Sequence, residues 1–291
     1  MKKKIISVIV GVAGLAAAYF VVSGISHIVY NRPVDNAATE STAETTEQGT
    51  EEAKAAMTED EINAMLAGMK STETAETETA TEEQSEVIPV KFEELQAVNP
   101  DIYAWITVPG TVIDYPILQH ASDNTYYLMH NIDGSYGYPG CVYTENMNSK
   151  DFTDNNTVIY GHNMKNGSMF AQLHKFEDPD FFNENREVLI YLPDEVLHYT
   201  IFAAHIYDDR HLLYSFDFTD PEVYQKYLDS IFSTRDMSAN IDKGITVTTD
   251  DKIITLVTCI GSQPNNRLLV QAVLTDREPG AEATQSATTT E

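Results

Sequence analysis

The chain has 291 residues, 42% of them hydrophobic and 10% aromatic, enough for one sizeable core or two small ones, which excludes a wholly disordered protein. Its 45 acidic side chains against 18 basic give a formal charge of -27, a surface that repels phosphate backbones and argues against nucleic acid as a partner. The charge is unevenly spread: residues 1–30 carry only Lys2, Lys3 and Lys4, residues 31–86 hold 3 basic and 15 acidic side chains, and residues 87–291 hold 12 and 30.

From Ile5 to Tyr30 there is no Asp, Glu, Lys or Arg, and Ile5–Val22 is almost wholly apolar. At about 1.5 Å per residue such a run crosses most of a hydrocarbon layer roughly 30 Å thick. The lysines precede it, so the positive-inside rule leaves the N-terminus in the cytoplasm and the chain after Tyr30 outside the cell. Residues 1–30 therefore read as an uncleaved, single-pass membrane anchor. A cleaved signal peptide, with Ala16, Ala17 and Ala18 as small residues, is the alternative, and it too leaves the working part outside.

Residues 31–86 read as an acidic, low-complexity extracellular tether, with runs such as Glu73–Thr79 that bury too little apolar area to offset chain entropy. One island interrupts them. Thr58 and Glu61 form a capping-box pattern, and Ile62, Met65, Leu66 and Met69 follow at i, i+3, i+4 and i+7. That spacing predicts a helix, read foremost as a nascent one of little consequence, with docking on the folded domain or a partner as the alternative. Residues 278–291 read as a disordered C-terminal tail without a second apolar anchor.

The folded domain is expected over residues 87–277. Phe92, Leu95 and Val98, stopped by Asn99-Pro100, predict a short helix. Eight strand-like runs follow: Tyr103–Val108, Thr111–Ile117, Gly140–Tyr143, Thr157–Tyr160, Glu187–Leu192, His198–Tyr207, Ile253–Cys259 and Leu268–Thr275. Such a series makes the domain mainly β, a barrel or a sandwich. Between the sixth and seventh runs Asp220 as N-cap, Pro221 at the first turn, and Val223, Tyr224, Tyr227, Leu228 and Ile231 on one face predict a longer helix. A second short helix is expected over Ser168–Phe176.

Two cysteines are available, Cys141 and Cys259, and an oxidising exterior makes a disulfide between them conceivable. Cys141 opens an apolar strand and reads as a small core residue. Cys259 ends a strand beside the polar loop Gly261–Asn266, at a rim a substrate can reach. A thiol is only a few per cent ionised near pH 7, so thiolate chemistry needs an imidazole to take or share its proton. His162 follows the strand Thr157–Tyr160 and opens a glycine-containing loop; in isolation it also fits a loop hydrogen-bonder. His198, His205 and His211 match no common zinc spacing and read as strand or surface residues, whereas His120, His130 and His174 have no distinguishing context. Arg267 lies eight residues after Cys259, across the turn, where an antiparallel pair brings both side chains to one rim. A guanidinium there can donate to a developing oxyanion; as a lone arginine it also fits a surface ion pair. Asp208, Asp209 and Asp217 read as a solvated loop rather than a calcium site, and no metal is expected.

Thr255-Leu256-Val257-Thr258-Cys259, followed by Arg267 and preceded by Tyr160-Gly161-His162, resembles the signature of sortases, the membrane-anchored transpeptidases of Gram-positive bacteria. Asn99–Ile106, Ile113–Pro116 and Asp123–Leu128 are similar to sortases of classes B and C, and the resemblance spans about residues 90–275. The helix at Asp220–Phe232 resembles class B, whereas the lid motif and C-terminal anchor usual in class C are absent from the sequence. Ala104, where glycine is common, and the long Glu/Thr tether depart from the family pattern.

The resemblance implies a closed eight-stranded barrel, with a short N-terminal helix and a helix between strands six and seven, that needs no cofactor. It implies that Cys259 attacks a threonine carbonyl in a C-terminal sorting signal, that Arg267 holds substrate and oxyanion, and that His162 protonates the departing amine. The surface protein is then joined to an amine of a peptidoglycan precursor. Asn124, Tyr160 and Thr258 are the implied substrate-binding residues. A pilin-polymerising sortase, a hydrolytic cysteine protease and a non-catalytic surface-binding domain are the alternative readings.

Overall fold

The computed structural model describes residues 57–70 and 86–282. The apolar run Ile5–Val22 and most of the acidic stretch fall outside them, and among the described residues no helix is long and apolar enough to cross a membrane.

The first element, α1 (Glu59–Gly68), has the expected capping box: Thr58 Oγ1 accepts from the Glu61 amide, and Glu61 Oε2 accepts from the Thr58 amide at 2.8 Å. Alone, a helix this short is marginal in water. Ile62 and Leu66 are buried against Ile132 and Cys141, which makes α1 part of the folded domain rather than a passive stretch of tether. Each such side chain contributes about 1.5–3 kcal/mol on burial. At the helix end Lys70 forms a backbone bridge to Val90, and its Nζ donates to Asp114 Oδ1 at 2.5 Å.

A short strand β1 (Glu86–Ile88) and helix α2 (Phe92–Val98) lead into β2 (Ile102–Thr107), β3 (Asp114–Leu118), β4 (Val142–Thr144) and β5 (Asn156–Tyr160). A 3-10 segment, Phe170–Glu177, follows, then α3 (Pro179–Glu184), β6 (Glu187–Tyr191) and β7 (Glu195–Asp208). The sequence predicts a helix over Ser168–Phe176; Phe170, Leu173 and Phe176, all fully buried, repeat every three residues, a spacing that suits 3-10 geometry because i and i+3 eclipse. The chain ends with α4 (Leu212–Ser215), α5 (Pro221–Phe232), β8 (Asn240–Ile241), β9 (Ile253–Ile260) and β10 (Gln263–Glu282).

The sheet order is β1-β10-β9-β5-β4-β3-β2-β6-β7-β8, and an added β10–β7 pairing closes eight of these strands into a barrel. These eight correspond one to one with the predicted runs, and closure decides for a barrel over a sandwich. Ile106, Ile117, Ile159, Ile190, Leu256 and Val270 meet inside it. α5 sits between the sixth and seventh barrel strands, capped by Asp220, and lays Tyr224, Tyr227, Leu228 and Ile231 over Phe202, Val257, Leu269 and Val273 on the outer face.

β10 runs beyond the predicted Thr275. Arg277, Glu278 and Pro279 pair with Leu197, Val196 and Glu195, and Gly280–Glu282 pair with β1, so residues 278–282 belong to the sheet and not to a tail. No apolar alternation marks this polar stretch; main-chain pairing and an Arg277–Glu195 ion pair hold it.

Asp114 ties three elements together, accepting from Lys70 Nζ, Trp105 Nε1 at 2.8 Å and Thr107 Oγ1 at 2.7 Å. Partial burial alone would raise its pKa, but these donors hold the carboxyl below the ordinary carboxylate range. A depressed folded-state pKa gives stability that is present above the unfolded value and lost as pH falls through the folded one. Asp114→Asn is therefore expected to cost about 1–2 kcal/mol at pH 7 after allowing for solvent screening, in urea unfolding. The gap to the parent protein should close below roughly pH 4.

Candidate active site

β9 lies between β5 and β10, and its side chains alternate between barrel interior and outer face. Ile254, Leu256 and Ile260 face inward. Ile253 and Val257 face outward beneath α5. Cys259 continues the outward series past the cover of the helix and is exposed. On one side β10 places Arg267 directly opposite Cys259 in an antiparallel pair. Side chains of such a pair share a face, with Cβ atoms about 4.5–5.5 Å apart.

On the other side β5 runs parallel to β9 with Tyr160 beside Val257. The Gly161 amide donates to Val257 O at 3.2 Å, and Thr258 Oγ1 donates to Gly161 O at 2.9 Å. The chain is thus held to β9 up to Gly161, the residue before His162. Cys259 and Arg267 thus stand opposite each other on adjacent strands, and His162, nearly a hundred residues earlier in the chain, follows the end of the strand on the other side of β9.

The imidazole of His162 places Nε2 2.7 Å from Leu128 O and meets the ring of Tyr138 edge-on, with centroids 5.1 Å apart. A carbonyl only accepts, so Nε2 carries a proton and Nδ1 is the atom left to exchange one. Arg267 donates from one terminal nitrogen to Pro264 O and Asn266 O, at 2.9 and 2.8 Å, and among the described residues no carboxylate pairs with it. The guanidinium is braced by its own turn and keeps donors beyond those two bonds.

Of the other predicted residues, Tyr160 is on the same outer face, stacked on Tyr143 at 5.4 Å and 6.2 Å from His211. Asn124 accepts through Oδ1 from the Asn146 amide at 2.9 Å and organises its loop. Thr258 is a correction: it is buried, on the inward series of β9, and its hydroxyl is engaged by Gly161, so it holds the histidine loop rather than lining the outer face.

Cys141 and Cys259 are both free thiols. Burial pushes the Cys141 thiol far up, while its Sγ donates weakly to His130 O. Among the described residues no group of three His, Cys, Asp or Glu side chains is placed to hold a metal ion.

Sequence reasoning missed three side chains around the site. Asn163 Nδ2 donates to Cys259 O at 2.9 Å. His174 places Nε2 3.1 Å from the same oxygen and Nδ1 2.8 Å from Glu177 Oε2. The i,i+3 pairing of His174 with Glu177 was a readable signal. His211, read as a strand or surface residue, instead caps α4 and makes a buried 2.8 Å contact with Glu145. Those partners are 66 positions apart, a contact that no local pattern reveals.

Fold and site together define a closed barrel carrying an exposed thiol between an imidazole-bearing and a guanidinium-bearing strand. A family model of the sortase domain matches residues 106–275. Sortase B of Listeria monocytogenes is 35% identical over 171 residues, which span 58% of this chain and 67% of that protein. The solved sortase B of Clostridium perfringens is 34% identical with a TM-score of 0.58, covering 64% of this chain and 100% of that one. A Staphylococcus aureus sortase B–substrate complex is 26% identical with a TM-score of 0.56, covering 64% and 84%. The chain belongs to the sortase family, in its class B, and is a transpeptidase.

At Gly161 the chain entering the His162 loop passes tightly over the core, since a Cβ there would meet the buried Phe170 ring at 2.5 Å. Gly161→Ala should therefore cost about 1–3 kcal/mol in thermal unfolding and lower transpeptidation. Parental stability and activity would show that this passage is not tight.

Proposed function

We propose that Cys259 is the nucleophile of this transpeptidase, with His162 as acid and base and Arg267 as the electrostatic partner. The observation that carries the reading is the strand register that sets Arg267 opposite Cys259 on β10, with His162 following the end of β5 on the other side of β9.

In the first half-reaction His162 takes the thiol proton as the Cys259 sulfur bonds to the carbonyl carbon of a threonine in a C-terminal sorting signal. The negative charge developing on the carbonyl oxygen is met by Arg267, whose fork of donors stays charged at any working pH. As the carbon–nitrogen bond breaks, His162 gives its proton to the leaving amine, and a thioacyl-enzyme remains. In the second half-reaction an amine attacks that carbonyl, and His162 takes its proton and hands it to the sulfur as the sulfur leaves. The product is an amide-linked surface protein and a restored thiol. The Staphylococcus aureus relative, solved as a sortase B–substrate complex, supports substrate binding by this fold.

The same reading assigns Tyr160, with Asn124 at its periphery, to the substrate groove and a peptidoglycan-precursor amine to the acceptor role. Residues 1–30 are the single-pass anchor, N-terminus inside, that holds the enzyme at the outer surface of the cell membrane. The acidic chain after them is a self-repelling spacer ending at α1. Anchoring raises the effective concentration of two substrates that themselves lie at the membrane.

Cys259→Ala is expected to abolish cleavage of sorting-signal peptides while leaving the unfolding temperature unchanged; a fully active variant would refute the nucleophile. His162→Ala should lower kcat/KM by about 10²–10⁴, and Arg267→Lys by about 10²–10³ because the forked donor geometry is lost. Replacing residues 31–56 with a neutral Gly/Ser chain of equal length should leave surface-protein anchoring by membrane-bound enzyme intact, and a large loss would contradict the spacer.

A further inference from the structure

The main-chain carbonyl of Cys259 carries two side-chain contacts from outside its own strand. Asn163, on the loop after β5, donates from Nδ2 at 2.9 Å, and His174, on the 3-10 segment, places Nε2 at 3.1 Å. The two side chains also touch each other, with Asn163 Nδ2 3.0 Å from His174 Nε2. Behind the imidazole, Glu177 Oε2 lies 2.8 Å from Nδ1.

The hydrogen-bond chemistry of this chain is restrictive. A carboxylate only accepts, so Nδ1 carries the proton shared with Glu177. A carbonyl only accepts as well, so the Nε2 contact with Cys259 O is a hydrogen bond only when Nε2 is also protonated. The imidazolium satisfies Glu177 and Cys259 together. The neutral ring instead turns a bare Nε2 to the Asn163 amide and leaves Cys259 O to Asn163. Glu177 from the same segment, Asn163 from the β5 loop and Cys259 from β9 are the groups facing the ring; of them Glu177 and Cys259 titrate.

We propose that His174 is a positioning residue for Cys259, fixing the main-chain carbonyl of that residue and supplying a positive charge beside its sulfur. The sulfur belongs to the same residue as the oxygen that His174 holds, and a positive charge at that oxygen favours thiolate over thiol. Glu177 orients the ring and stabilises the imidazolium, as second partners of functional histidines do. The reading rests on Cys259 being the nucleophile, and it gives this enzyme a second histidine, distinct in role from His162.

The test is the rate of Cys259 alkylation by iodoacetamide between pH 5 and 9, followed by mass spectrometry of the peptide containing that residue in the full chain. Two variants separate charge from packing: His174→Gln keeps a donor near the carbonyl without the charge, and His174→Lys restores the charge. The alkylation midpoint in His174→Gln should rise by roughly half to one pH unit, a fall of about 3- to 10-fold in rate near pH 7, and His174→Lys should recover most of it. Profiles identical to the parent in both variants would overturn the proposal, as would equal losses in both, which would reduce His174 to packing. Alkylation reads the thiol itself, so these outcomes stand apart from a failure of the nucleophile assignment, which would show as transpeptidation surviving Cys259→Ala.

Discussion

The register of β9 between its two neighbours is the constraint on which the site depends. Side chains alternate along a strand, so a slip of one residue would turn Cys259 into the barrel and bring Ile260 out. Burial of both faces forbids it: Ile254, Leu256 and Ile260 fill the interior, while Ile253 and Val257 lie under α5. A polar bond pins the same register, with Thr255 Oγ1 donating to Asn156 Oδ1 at 2.8 Å, while on the adjacent β10 Gln271 Nε2 donates to Tyr227 Oη of the covering helix at 2.7 Å. Once β9 is fixed, Arg267 follows from its antiparallel partner and His162 from its parallel one.

The surroundings convert that register into a stable surface site. Thr258 and Gly161 carry the chain from β5 past the strand end, and the buried Phe170, Leu173 and Phe176 seat the 3-10 segment that brings His174 and Glu177 to the back of Cys259. Leu128 O and Tyr138 confine His162 from the loop before β4. That loop in turn packs at Ile132 and Cys141 against Ile62 and Leu66 of α1, so the N-terminal helix supports the wall that holds the imidazole.

Much of this was legible in the sequence because it was local. Eight apolar runs became eight barrel strands, Asp220-Pro221 capped the helix they predict, and the seven residues between Cys259 and Arg267 sufficed for a turn and a directly opposed pair. What escaped depended on tertiary partners. Ile62 and Leu66 mark one face of a helix but do not say what covers it. Thr258 sits beside Cys259 in sequence, yet alternation turns it inward. The pairing of residues 278–282 is written in main-chain bonds, and the contact of His211 with Glu145 spans 66 positions.

The central claim, that acyl transfer passes through the sulfur of Cys259, is tested most directly by intact-mass and peptide-level mass spectrometry of the folded domain incubated with a small set of pentapeptide signals. The account predicts a thioester adduct on Cys259 that an added amine such as triglycine discharges as an amide. Cleavage of the peptides with no acyl group on Cys259, or with the acyl group on another residue, would contradict it.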